Sequence, residues 1–156
     1  MRRIYLAAAV YVGLGLASGL FYRDFTQLNH FPETGSTQLS GVHTHFLALG
    51  ALVMLILLGL EKLFTLSASR SFTWFFWIYN AGLVITGGTM IWHGVLTVLG
   101  QTAGPMVAGV AGIGHILLTA AFVLLLVALG KAIRRATPAV AASAAEPTLL
   151  TAPTAD

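Results

Sequence analysis

The chain has 156 residues, five histidines and no cysteine, and four of the histidines lie inside apolar stretches. His43 and His45 open one stretch, as Gly41-Val42-His43-Thr44-His45-Phe46. His93 follows Trp92 near the end of another, and His115 ends Gly112-Ile113-Gly114-His115. An imidazole inside a bilayer is costly and needs a partner, so these four side chains carry the chemistry that has to be explained. Without thiolates, a metal must rest on histidine, methionine or oxygen ligands, and no thioether attachment of a c-type haem is possible.

His43 and His45 are two positions apart, about 200° around an α-helix, so the two rings point in opposite directions. They cannot chelate one ion from one face, which argues against a compact zinc site. The spacing suits one histidine facing into its own bundle and the other facing a neighbouring helix, a second subunit or a second cofactor. Around His93, helical spacing gathers Thr86, Thr89, Met90 and Thr97. Hydroxyls such as that of Thr89 could orient its imidazole, whereas Met90 reads as core. Beside His115 the small residues Ala108 and Gly112 leave room for a flat macrocycle, or equally for close helix packing. His30 lies in a polar stretch and reads as solvated, and Asn80 as an interhelical hydrogen-bonding residue.

These side chains need helices to position them. Hydrophobic residues make up 57% of the chain and charged ones 8%, with mean hydropathy +0.86, which leaves too little polar surface for a soluble domain. Four apolar runs, at about 4–22, 41–60, 74–99 and 106–130, each approach the roughly 20 residues that a helical bilayer crossing needs. The expected fold is all-α: an integral membrane four-helix bundle of up-down topology over residues 1–135, with a disordered tail over 136–156. The first run also has the outline of a signal peptide ending near Ala17-Ser18-Gly19, but it reads better as the first span. Arg2, Arg3, Lys62, Arg70, Lys131, Arg134 and Arg135 fall on the side of the termini and Arg23 on the other, so the positive-inside rule puts both termini in the cytoplasm. The formal charge of +3 thus reports orientation, and no nucleic acid partner is expected. The polar loop from Arg23 to Ser40 is expected outside, and all four intramembrane histidines fall in the outer half.

In such a bundle the second and fourth helices are diagonal, and a histidine of the second can face His115 across the core. Bis-histidine ligation of haem b (protohaem IX) is the most economical use of the pattern. His45 or His43 pairs with His115, and His93 is a further ligand or a distal-pocket residue. Arg23, the one cation near an outer helix end, is the candidate partner for haem propionates. Two competing readings use the same histidines, one for copper or zinc handling and transport, the other as polar glue in a non-catalytic subunit of a respiratory complex.

The stretches Gln38 to His45, Trp92 to Gly100 and Gly112 to His115 also carry a resemblance. Over about residues 4–133 the chain resembles a bacterial four-helix membrane family with only a domain-of-unknown-function label, which implies a bacterial cytoplasmic membrane location and no particular activity. His43-Thr44-His45 is further similar to the H-x-H of the catalytic subunit of haem-copper oxidases, in which two histidines of one helix serve two haems. Because that subunit has twelve helices in three groups of four, the likeness implies one four-helix repeat, a homo-oligomer (trimer or dimer) and a respiratory electron-transfer partner. Oxidase chemistry also needs an adjacent His-His copper pair and intramembrane acidic residues, and neither occurs here. The expectation is a haem protein for electron transfer, gas binding or haem sensing and not a proton-pumping enzyme.

Overall fold

The structure, a computed structural model, describes residues 1–145, with side chains described as far as residue 136. Helix α1 spans Arg2–Leu28, α2 spans Leu39–Phe64, α3 spans Arg70–Val98 and α4 spans Pro105–Ala145. Among the described residues there is no strand, and all four helices are long and apolar enough to cross a membrane. The fold is therefore all-α, that of a multi-pass membrane protein.

The helices outrun the apolar runs because apolarity ends before helix-breaking residues appear. No proline interrupts α1 before Pro32, and the Thr26 hydroxyl and Asn29 amide donate to the carbonyls of Tyr22 and Phe25, both at 2.8 Å. The helix closes when His30 turns left-handed at φ 51°. The Phe31 and His30 amides then reach back to the carbonyls of Thr26 and Gln27 at 3.0 and 3.1 Å, a Schellman closure. Arg23 and Asp24 are thus helical, and the expected Arg23–Ser40 loop shrinks to residues 29–38. At the other ends, Ser69 caps α3 by accepting from the Phe72 amide at 3.1 Å, and Gly100 at φ 70° terminates it. Pro105 opens α4, where its missing N–H costs nothing. Helix α4 runs past residue 136 to Ala145, so the expected tail begins as helix. The rest of that expectation, residues 146–156, lies outside the described residues.

Helix α2 is not uniform. Leu39–Thr44 is α-helical, His45–Leu52 is π-helical and Val53–Phe64 is α-helical again. A π stretch slips the amide–carbonyl ladder by one residue. Within it the Tyr79 hydroxyl donates to the Leu49 carbonyl at 2.7 Å, a donor from α3 where α2's own ladder is disturbed.

Helix α2 packs on α1 and α3, while α4 lies along α3 and meets α2 mainly through the Val53–Phe64 half. Glycines allow each approach. The Phe46 ring covers Gly87, Leu39 covers Gly94, Leu47 covers Gly15, and Gly82 sits against Gly114 and Leu118. A cluster of Tyr11, Phe72, Phe75, Phe76 and Tyr79 fills the half of the bundle nearer the N-terminus, and Phe46 extends it towards the distal half. There Asn80 accepts from the Tyr11 hydroxyl at 2.7 Å and donates to the Phe76 carbonyl at 2.6 Å, the interhelical bond its position predicts. The two ends of the bundle are called terminal, beside Met1, and distal, at the α1–α2 and α3–α4 loops.

Candidate functional site

His45 stands where α2 changes from α to π. One turn towards the distal end, Gly41 faces the Met90 methyl of α3. The His45 ring folds back along that column, with Nδ1 3.1 Å from the Gly41 carbonyl. A carbonyl only accepts, so Nδ1 carries the proton and the Nε2 lone pair is left available. His115 repeats the arrangement on α4, with Nδ1 donating to the Ala111 carbonyl at 2.9 Å. Such a bond from the other ring nitrogen is the usual way a metal-binding imidazole is oriented.

The two rings flank one groove at one depth. Phe46, which follows His45, packs on Gly87 of α3, and Gly114, which precedes His115, packs on Thr86. The histidines are therefore level with adjacent α3 residues. Phe122, two turns beyond His115 on the same face, meets the Tyr79 ring edge-on at 5.4 Å, and Tyr79 bonds Leu49 of α2. This turns the His115 face of α4 towards α2. The groove so formed lies over α3 and is closed at its terminal end by Tyr79 and Phe122. At its base Thr86 is 1% exposed, with its hydroxyl unpartnered against Gly114.

His93 lies on α3 six to seven residues distal of that level, about 10 Å along the helix. Its Nδ1 is 3.5 Å from the Thr97 hydroxyl oxygen, which donates to the His93 carbonyl at 2.9 Å. The two residues line a cavity of about 320 Å³ with Ser36, Thr37 and Gln38. Thr37 anchors that wall by donating to the Gly94 carbonyl at 3.0 Å.

His43 takes the other side of α2. A Cβ on Gly19 of α1 would lie 3.7 Å from the His43 Cβ, so His43 faces α1, with Nδ1 buried and unpartnered and Nε2 3.4 Å from the Thr44 hydroxyl. Arg23 is one turn beyond Gly19 and lines a cleft with Tyr22, His30 and Glu33. The structure thus puts Arg23 on the His43 side, with α2 between it and the groove, because helical continuation through residue 28 carries it around α1. Thr89 is buried and spends its hydroxyl on the Ile85 carbonyl at 2.7 Å, so Thr97 is the hydroxyl beside the His93 ring. A Cβ on Gly112 would meet nothing within 4 Å. It packs against no helix of this chain, and the close approach falls to Gly114.

Of the sequence-derived site residues, His45 and His115 share the groove level, His93 lies at its distal mouth, Gly112 lies on its open flank, and His43 and Arg23 lie elsewhere. Among the described residues no three His, Asp or Glu side chains come together as ligands for one ion, the arrangement a zinc site would need. The π stretch and the Ser36–Gln38 wall were not legible beforehand. His45–Leu52 carries no proline or polar break, and the wall exists only because Thr37 reaches an α3 carbonyl 57 residues away.

No curated protein and no solved structure matches the chain. A family model described as protein of unknown function (DUF2871) matches residues 1–132, which cover the first three helices and most of α4, and the chain belongs to that family.

Proposed function

We propose that the protein binds haem b in the groove between α2 and α4, with His45 and His115 as axial ligands, and serves one-electron transfer in the bacterial cytoplasmic membrane. The observation that carries this reading is the pairing. Two histidines at one depth, on facing walls, each give Nδ1–H to a carbonyl of their own helix and keep Nε2 for a ligand.

Energetics support it. His115 is exposed ten residues into an apolar helix, where an Nε2 without a partner is costly in lipid. The His45 wall begins a π segment, a rare geometry that recurs at functional sites. The lining suits a flat apolar group, since Leu49 and Gly41, the latter against Met90, stand one turn from His45 on α2, and Ala108, Ala111 and Gly112 lie within two turns of His115 on α4. Haem bound there would supply a one-electron couple. Two imidazoles leave no axial position for a gas, which favours electron transfer over gas binding. The partners are then the bilayer, haem and a respiratory redox protein, and the open flank of α4 at Gly109 and Gly112 is where a second copy would dock. The basic flanks support an orientation with the termini inside.

Oxidised and reduced absorption spectra of protein purified after expression with ample haem test this. The wild type should show a Soret band and low-spin α and β bands. His45→Ala and His115→Ala should each abolish the low-spin bands, and His43→Ala should keep them. A wild type without a Soret band would sink the proposal.

A further inference from the structure

Resting on that reading, we infer that the distal cavity lined by His93, Thr97, Ser36, Thr37 and Gln38 is the carboxylate-binding end of the groove and takes the porphyrin propionates. His93 is then a positioning residue and not an axial ligand.

Three observations converge. The first is distance: His93 lies about 10 Å distal of the level shared by His45 and His115, so it cannot join them on one ion. The second is polarity along the groove. Its terminal end is closed by the Tyr79–Phe122 ring contact, its middle is bordered by Leu49 and Met90 with the buried Thr86 hydroxyl at the base, and a cluster of polar side chains lines the distal cavity of about 320 Å³. Carboxylates are expensive in hydrocarbon, so a dicarboxylate macrocycle can enter this groove in one sense only, with its carboxylates at the distal mouth. The third is donor supply. The mouth offers the His93 ring, the Ser36 hydroxyl and the Gln38 amide as donors to carboxylate oxygens. The Thr97 hydroxyl already gives its proton to the His93 carbonyl, so it acts by orienting the ring. Arg23, the distal cation, is cut off on the other side of α2.

The test compares protohaem with its dimethyl ester, which keeps the iron and the ring but removes both carboxylates. Wild-type protein should bind protohaem roughly tenfold or more tightly than the ester, the order expected when one or two charge-assisted hydrogen bonds are lost. His93→Leu should cut this preference to below about threefold while the low-spin spectrum persists, and His93→Gln, which keeps a donor, should restore part of it. Ser36→Ala combined with Gln38→Ala, at two exposed positions that the fold tolerates, should lower the preference in the same direction. The inference is overturned if the wild type binds ester and acid equally, or if His93→Leu keeps the full preference. It is also overturned if His93→Leu loses the low-spin bands, which would make His93 an axial ligand. In the first two cases the low-spin spectrum of His45 and His115 still stands, whereas absence of any Soret band defeats the haem reading itself.

Discussion

At the residue scale, the protein uses backbone carbonyls to set the chemistry of its side chains. His45 and His115 have no carboxylate to orient them, and the carbonyl one turn back does that work at 3.1 and 2.9 Å. Tyr79 shows the reverse traffic, a side chain serving the backbone. It is fully buried, touches Phe75 and Phe122, and donates to Leu49 in the π stretch. Tyr79→Phe keeps the packing and removes the donor, so it should cost about 1 kcal/mol. In a thermal melt of the purified protein this appears as a Tm lower by roughly 2 to 4 °C. An unchanged Tm would mean that the π stretch needs no external donor. The histidines themselves were legible in the sequence, because an imidazole among Leu, Val and Gly has to be explained. Thr89 and Thr97, at four residues on either side of His93, were not separable that way. Only the structure reveals that the Thr89 hydroxyl is spent on Ile85 and the Thr97 oxygen faces the ring.

At the element scale, hydrophobic run length located all four helices but not their ends, since Phe25 to Leu28 and Arg70 to Thr73 are helical without being apolar throughout. The ends are decided by hydrogen-bond closure at His30, Ser69 and Gly100, which hydropathy does not register. The π stretch matters more for the proposed site. Between His45 and Leu52 the helix carries a residue beyond the α repeat, and this sets the angle between the half of α2 that bears His45 and the half that packs on α4. Deleting Ala48, which is exposed, should return the stretch to α geometry and rotate His45 by about 100° relative to Val53–Phe64. The expected outcome is a membrane-inserted protein that no longer shows low-spin haem bands. Equal haem loading in the deletion variant would show that the π geometry has no part in the site.

At the scale of the whole molecule, the bundle is asymmetric in both packing and charge. Helices α1, α2 and α3 share a core to which α4 adds Leu118, Ala121 and Ala128, while α4 leans on α3 and leaves Gly109, Gly112 and His115 open. Composition could announce a four-helix membrane protein, but not this asymmetry, because it depends on which glycines meet: Gly82 and Gly114 draw α4 onto α3, and nothing draws it onto α1. Charge is asymmetric along the other axis. Arg2, Arg3, Lys62, Arg70, Lys131, Arg134 and Arg135 mark the terminal end, where the Arg3 guanidinium also lies 5.9 Å from the Phe76 ring centroid. Only Arg23 marks the distal end. If the charges orient the chain, the distal cavity opens on the non-cytoplasmic face, and under the proposed haem reading electrons would be exchanged there. The absence of cysteine makes this testable with single substitutions at exposed loop positions. Ser36→Cys should react with a membrane-impermeant maleimide on intact cells, and Ala68→Cys, in the α2–α3 loop, should react only after lysis. The opposite pattern would invert the protein and place the groove mouth, with any redox partner that docks on it, in the cytoplasm.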